Sequence, residues 1–200
     1  MNNNGTSPAR RIAFTGILAG AASILMLLEF PVPLMPTFIK FDFSELPALI
    51  AAFAYGPLEG VAVCLIKNLV KLTTTSTGGV GELANFLLGC FLVVPAGLIY
   101  RFKKDRAGAL IGSVAGSLSM AIASLPINYY IVYPIYTKFM PLDAIVAAYQ
   151  AINPGVDGLF ACLLIFNLPF TLVKGIADSA VTFLVYKHIS PFLKGNRKDK

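Results

Sequence analysis

The chain has 200 residues, is 56% hydrophobic and 13% charged, and has a mean hydropathy of +0.74, whereas a water-soluble domain carries about 25% charged residues. That balance excludes an ordinary soluble domain. The net charge of +6 stands between hydrophobic runs rather than on one basic face, which excludes a nucleic-acid-binding module.

Long apolar runs suit spanning helices better than the roughly 10-residue alternating strands of a barrel. The expected fold is therefore an all-α integral membrane protein, a six-transmembrane-helix bundle forming a single membrane domain over residues 1–200. The spans fall at about 10–30, 45–55, 57–72, 81–101, 107–137 and 157–188. The opening MNNNGTSPARR leads into the first run without an AxA-like cleavage site, so a retained first helix is expected rather than a signal peptide.

Span 1 carries the small residues Ala13, Gly16, Ala19 and Gly20. Small residues let another helix approach closely, either inside the bundle or in a partner subunit. The stretch PVPLMPTFIKFDF that follows joins Pro31, Pro33 and Pro36 to Phe38, Phe41 and Phe43. It suits a cap over a planar apolar ligand or an aromatic belt at the membrane interface. Span 2 is too short to cross the bilayer alone and span 3 is marginal, so tilt or shielding within the bundle is expected. Glu45, Glu59 and Glu82 each start a helical segment, where a carboxylate complements the helix dipole.

Span 5 holds Asn128 two residues after Pro126, and span 6 holds Asn167, Thr171, Lys174 and Asp178 around Pro169. Polar groups inside spans are costly and mark functional positions, and prolines that interrupt helices are tolerated where the freed backbone lines a cavity. The four polar residues of span 6, spaced by four, three and four, fall on one stripe facing the bundle interior. Lys174 either contacts a ligand or pairs with Asp178 one turn away.

Arg10 and Arg11 before span 1, Arg101, Lys103, Lys104 and Arg106 between spans 4 and 5, and Lys187, Lys194, Arg197, Lys198 and Lys200 at the end all fall on one side of a six-span chain. By the positive-inside rule that side, with both termini and the Gly56-Pro57 turn, is cytoplasmic. The segment after span 1, the TTTSTGGVG loop and residues 138–156 then lie outside. Cys64, Cys90 and Cys162 sit in apolar runs without metal or disulfide spacing and read as buried thiols.

The Gly-rich stretch from Gly78 to Glu82 lacks the lysine and serine of a phosphate loop, so no ATPase is expected here. HExxH, GxSxG and acidic metal clusters are absent from the sequence. The single histidine, His188, stands at a helix end and suits a dipole or interface role. No catalytic residue or bound metal is expected, and no inverted repeat of a secondary transporter is evident.

The stretch KFDFSELPALIAAFAYGPLEGVAVCLIKNLVK, then TTTSTGGVGELANFLLG, LPINYY and LPFTLVKG, resembles the S components of energy-coupling factor (ECF) transporters, specifically the riboflavin-binding ones, over about residues 10–190. The resemblance implies a non-enzymatic, six-helix subunit of the bacterial cytoplasmic membrane that captures riboflavin from outside. It would pass the vitamin on in complex with a transmembrane coupling protein and two cytoplasmic ATPases, with riboflavin as cargo and no resident cofactor. It implies docking through the small-residue face of helix 1 and closure of the loop after helix 1 over the vitamin. Asn128 and Lys174 match positions that bind the flavin ring; Thr171 stands where asparagine is expected in LPFNLVKG-like relatives, and its hydroxyl can still donate and accept. Asn167, Phe41 and Asp42 complete the substrate-binding candidates. Flavin mononucleotide as a second ligand, another vitamin such as thiamine, and a membrane enzyme or scaffold without a small ligand are the alternatives.

Overall fold

The computed structural model describes the backbone of residues 7–194 and the side chains of residues 7–185. The side chains of Lys187, His188 and Lys194, and the residues Arg197, Lys198 and Lys200, lie outside the described set.

Helix α1 (Pro8–Leu27) starts with Pro8 at its first position and with the Ser7 hydroxyl accepting from the Arg10 amide at 3.3 Å, a start that meets both the proline and the capping preference. Only a narrow stripe (Leu18, Ala19, Ala22, Ser23, Met26) is buried. Ile12, Ile17 and Ile24 are exposed, a liability in water but an ordinary surface in lipid. The segment after α1 doubles back as a short antiparallel ribbon, β1 (Phe30–Pro31) pairing with β2 (Lys40–Phe41). A structured strap thus stands where the sequence suggested a proline-stiffened loop.

Helix α2 (Glu45–Tyr55) is buried from Glu45 to Phe53, as expected for a helix apolar on all sides. Gly56, at φ 120°, turns the chain into α3 (Pro57–Lys71); a left-handed φ of this kind favours glycine. A Cβ on Gly60 would meet the Ala52 Cβ at 2.9 Å, which shows how closely α2 and α3 are packed. Helix α4 (Val80–Phe102) follows the polar loop. Helix α5 (Arg106–Tyr136) opens with the Asp105 carboxylate accepting from the Gly108 amide at 2.6 Å. A short helix α6 (Leu142–Gln150) precedes α7, which runs from residue 158 to 194.

Among the described residues, four helices are long and apolar enough to cross a membrane: α1, α4, α5 and α7. The segments expected as two short spans fold as the buried α2 and the 15-residue α3, packed against the long helices.

The prolines act differently from expectation. Pro126 lies inside α5 without breaking it. The departures are two five-residue π-helical turns, Asn128–Val132 and Leu163–Asn167, each ending two residues before a proline, Pro134 and Pro169. A proline supplies no N–H and crowds the carbonyl four residues back, here Tyr130 and Ile165, both inside the π turns. The wider turn accommodates the ring while the helix continues.

The close helix contact also lies elsewhere than the GxxxG of α1. On α5, a Cβ on Gly112 would come within 2.7 Å of the Ala96 carbonyl oxygen, and one on Gly116 would collide with the Leu92 carbonyl oxygen. Outside Gly16 and Gly20 nothing lies within 4 Å. Gly116→Val should therefore force α4 and α5 apart and cost about 1–3 kcal/mol, read as a lowered thermal midpoint in detergent, whereas Gly16→Val should leave the midpoint of the isolated subunit unchanged.

Candidate functional site

A cavity opens at one end of the bundle, with about 820 Å³ of atom-free space counted out to its mouth, within the size range of small-molecule sites. The strap supplies Phe38, Ile39 and Lys40; the start of α4 supplies Val80, Ala84 and Asn85; Thr77 comes from the loop before it. One wall is the π turn of α5 and the residues after it, with Asn128, Val132, Tyr133 and Tyr136. The facing wall is α7, with Asn167, Phe170, Thr171 and Lys174. Apolar faces with a few convergent polar groups suit a planar ring system that carries hydrogen-bonding edges.

The π turns bring the two asparagines into this cavity, since Asn128 begins one and Asn167 ends the other. Thr171 and Lys174 follow one and two turns along α7. Four of the substrate-binding candidates, Asn128, Asn167, Thr171 and Lys174, thus line one space.

Phe41 and Asp42 do not line it. Phe41, in β2 of the strap, is buried, edge-on to Phe43 at 5.1 Å and to Phe170 at 6.2 Å between ring centres. Asp42 is buried and serves Lys174: the ammonium donates to Asp42 Oδ2 at 2.7 Å, while the Ser44 amide donates to Oδ1 at 2.8 Å. Burial works to raise the Asp42 pKa, but the Lys174 ammonium outweighs it and holds the carboxyl well below the usual carboxylate range.

This ion pair replaces the Lys174–Asp178 pairing that the four-residue spacing offered. Asp178 is fully buried, and neither carboxylate oxygen has a hydrogen-bond partner among the described residues. The reason is tertiary, since the strap lays a carboxylate on Lys174 from 132 positions away in sequence. At the mouth, Glu29 accepts from Lys40 at 2.6 Å and from Lys71 at 3.0 Å. Burial pushes the Glu29 pKa up, yet the two ammonium groups hold it below its ordinary value.

The helix-start carboxylates do more than complement dipoles. Glu45 has no exposure and accepts from Lys67 at 2.7 Å, and Lys67 also donates to Ser44 Oγ at 2.6 Å. Glu59 pairs with Arg11 of α1. Glu82 accepts from the Thr75 and Thr77 hydroxyls at 3.0 and 3.1 Å, ordering the polar loop beside the cavity. Lys67, Tyr133, Tyr136 and Asn85 were missed in the sequence. Lys67, Asn68 and Lys71 are polar positions three and four apart within an apolar run, a spacing that marks one inward face.

On α1, Ala13, Gly16 and Gly20 are exposed on one side. Ala19 is not part of that side: it is 1% exposed and belongs to the core. The 3.6-residue turn rotates Ala19 off the Ala13–Gly16–Gly20 stripe and into the bundle.

Residues 10–186 match the family model described as "ECF transporter, substrate-specific component". The chain is 32% identical to the riboflavin transporter FmnP of Bacillus subtilis, over 94% of this chain and 96% of that one. It is 31% identical to the riboflavin transporter RibU of Staphylococcus aureus, over 92% and 93%. Among solved structures, the S component of a bacterial ECF transporter superposes with a TM-score of 0.74 at 29% identity, covering 94% of this chain and 100% of that chain.

Proposed function

The chain belongs to the substrate-specific components of ECF transporters, a family of multi-pass membrane proteins that are transporter subunits rather than enzymes, and from that membership we propose that it captures riboflavin for uptake. The observation that carries the proposal is the cavity in which Asn128, Asn167, Thr171 and Lys174 converge between apolar surfaces. Isoalloxazine is a flat, largely apolar ring with one edge of alternating carbonyl and N–H groups, and this set of amide, hydroxyl and ammonium groups complements such an edge. The named riboflavin transporters above support riboflavin over thiamine.

In the proposed arrangement six segments cross the bacterial cytoplasmic membrane, the termini and the Gly56-Pro57 turn face the cytoplasm, and the cavity opens outward. The basic 101–106 connection supports that orientation. The exposed Ala13, Gly16 and Gly20 side of α1 is the surface proposed to dock on a transmembrane coupling protein, itself joined to two cytoplasmic ATPases. Without an ATP site of its own, the subunit would release its cargo only through a conformational change those partners drive. No nucleic acid enters this scheme, and riboflavin is cargo rather than cofactor.

The test is the absorbance spectrum of detergent-purified protein, followed by titration of stripped protein with riboflavin, flavin mononucleotide and thiamine. Flavin bands in the purified protein and saturable riboflavin binding are expected. Folded protein that answers to thiamine and not to riboflavin would sink the substrate assignment. Competition by flavin mononucleotide would show whether a phosphate is tolerated at the mouth.

A further inference from the structure

Tyr149 belongs to the short helix α6, has no exposure and does not line the cavity. Its ring packs edge-on to Phe38 of the strap, with 6.0 Å between ring centres, and against Phe166 at 5.2 Å. Its hydroxyl reaches two residues that do line the cavity: it donates to Asn167 Oδ1 at 2.7 Å and lies 2.5 Å from the Tyr133 hydroxyl. Tyr149 comes from the connection between the last two long helices.

Proton counting fixes the direction of this chain. A phenol has one proton to give. Tyr149 gives its proton to Asn167, so the contact with Tyr133 has to be made with the Tyr133 proton, and the order is Tyr133 to Tyr149 to Asn167. Burial pushes the Tyr149 phenol up, which keeps it a neutral donor. The Asn167 carbonyl oxygen is thereby engaged by Tyr149, which fixes the orientation of the amide and so the side on which it presents its Nδ2 hydrogens as donors. The Tyr133 proton is committed as well, so its oxygen can only accept, from the neighbouring Asn167 amide or from a ligand.

We propose that Tyr149 is a positioning residue that sets the hydrogen-bond polarity of the cavity wall, making Asn167 a donor and Tyr133 an acceptor toward the ligand. The wall then selects a ligand edge that offers a carbonyl oxygen or ring nitrogen next to an N–H. An imide provides that pattern. The inference deepens the riboflavin reading and rests on it for the identity of the imide, but the polarity itself is a property of the protein alone.

The experiment uses the full-length protein and Tyr149→Phe, with two readouts. First, riboflavin and a riboflavin methylated on the imide nitrogen are titrated into both proteins. Wild type should prefer riboflavin strongly, and Tyr149→Phe should lose at least about tenfold of that preference, since Asn167 can flip and the Tyr133 hydroxyl can turn once the relay is gone. A merely structural role would weaken both ligands by the same factor and leave the preference unchanged, which overturns the proposal. Second, ligand-free protein carrying 15N-labelled asparagine is compared by NMR, with the Asn167 side-chain NH2 signal identified by its loss in Asn167→Asp. That signal should shift or split in Tyr149→Phe while that of Asn128 stays in place. An unchanged Asn167 signal overturns the proposal whatever the ligand is. Failure of wild type to bind riboflavin, with the NMR change present, would instead count against the substrate assignment and leave the relay standing.

Discussion

Lys174→Met is expected to weaken riboflavin binding about ten- to a hundredfold, as loss of a charge-assisted hydrogen bond of about 1.5–3 kcal/mol dictates, and to destabilise the protein as well. The second effect comes from Asp42. Its carboxylate is buried and has Lys174 as its ion-pair partner at 2.7 Å, so removing the ammonium strands a charge, at a cost of about 3–5 kcal/mol. The two losses separate in the double variant Asp42→Asn, Lys174→Met, which lacks the stranded charge. Thermal unfolding should recover most of the lost stability in the double variant, while flavin titration should show no recovery of affinity. If affinity returned together with stability, Lys174 would be holding the strap and not the ligand. If Lys174→Met melted like wild type, the pair with Asp42 would not exist in solution.

A stability effect of the same size is expected deeper in the bundle, at Glu45 and Lys67. Both side chains have no exposure and are joined at 2.7 Å, with Ser44 sharing the ammonium. Lys67→Met alone should cost about 3–5 kcal/mol, because Glu45 would lose its ion-pair partner in a buried position. Pairing it with Glu45→Leu should return most of that loss, since two well-packed apolar side chains are often as stable as a buried ion pair. Neither residue lines the cavity, and only Ser44 links Lys67 to Asp42 and so to Lys174, so folded double variant should lose less than about tenfold in riboflavin affinity. Thermal midpoints in detergent and a flavin titration check both statements. Equal destabilisation by the single and double variants would mean that the pair is not an isolated unit.

These two ion pairs lie on the boundary between what a linear chain reveals and what it hides. Helices, their order and their ends were legible because hydrophobic runs, Gly/Pro punctuation and charged connections are local signals. The expected 45–55 and 57–72 segments correspond to Glu45–Tyr55 and Pro57–Lys71, and the polar stripe of the last span reaches the cavity with Asn167, Thr171 and Lys174 because helical periodicity is itself local. Partners across the bundle were not legible. Spacing by four offered Lys174 to Asp178, yet a strap residue 132 positions away takes the ammonium.

The sequence by itself determined that the chain is a mostly helical membrane protein, which polar residues of its last two spans are candidates for a ligand, and which family it resembles, since composition, periodicity and motif all reside in consecutive residues. Only the tertiary structure decided that the prolines are absorbed by π turns, that Ala19 faces inward and that Asp42 supports Lys174 rather than lining the cavity. It also decided that Tyr149, from a connecting helix, orders the hydrogen bonds behind Asn167. Each of these depends on groups far apart in the chain meeting within hydrogen-bonding or packing distance, and such meetings are set by how the helices and the strap close on one another.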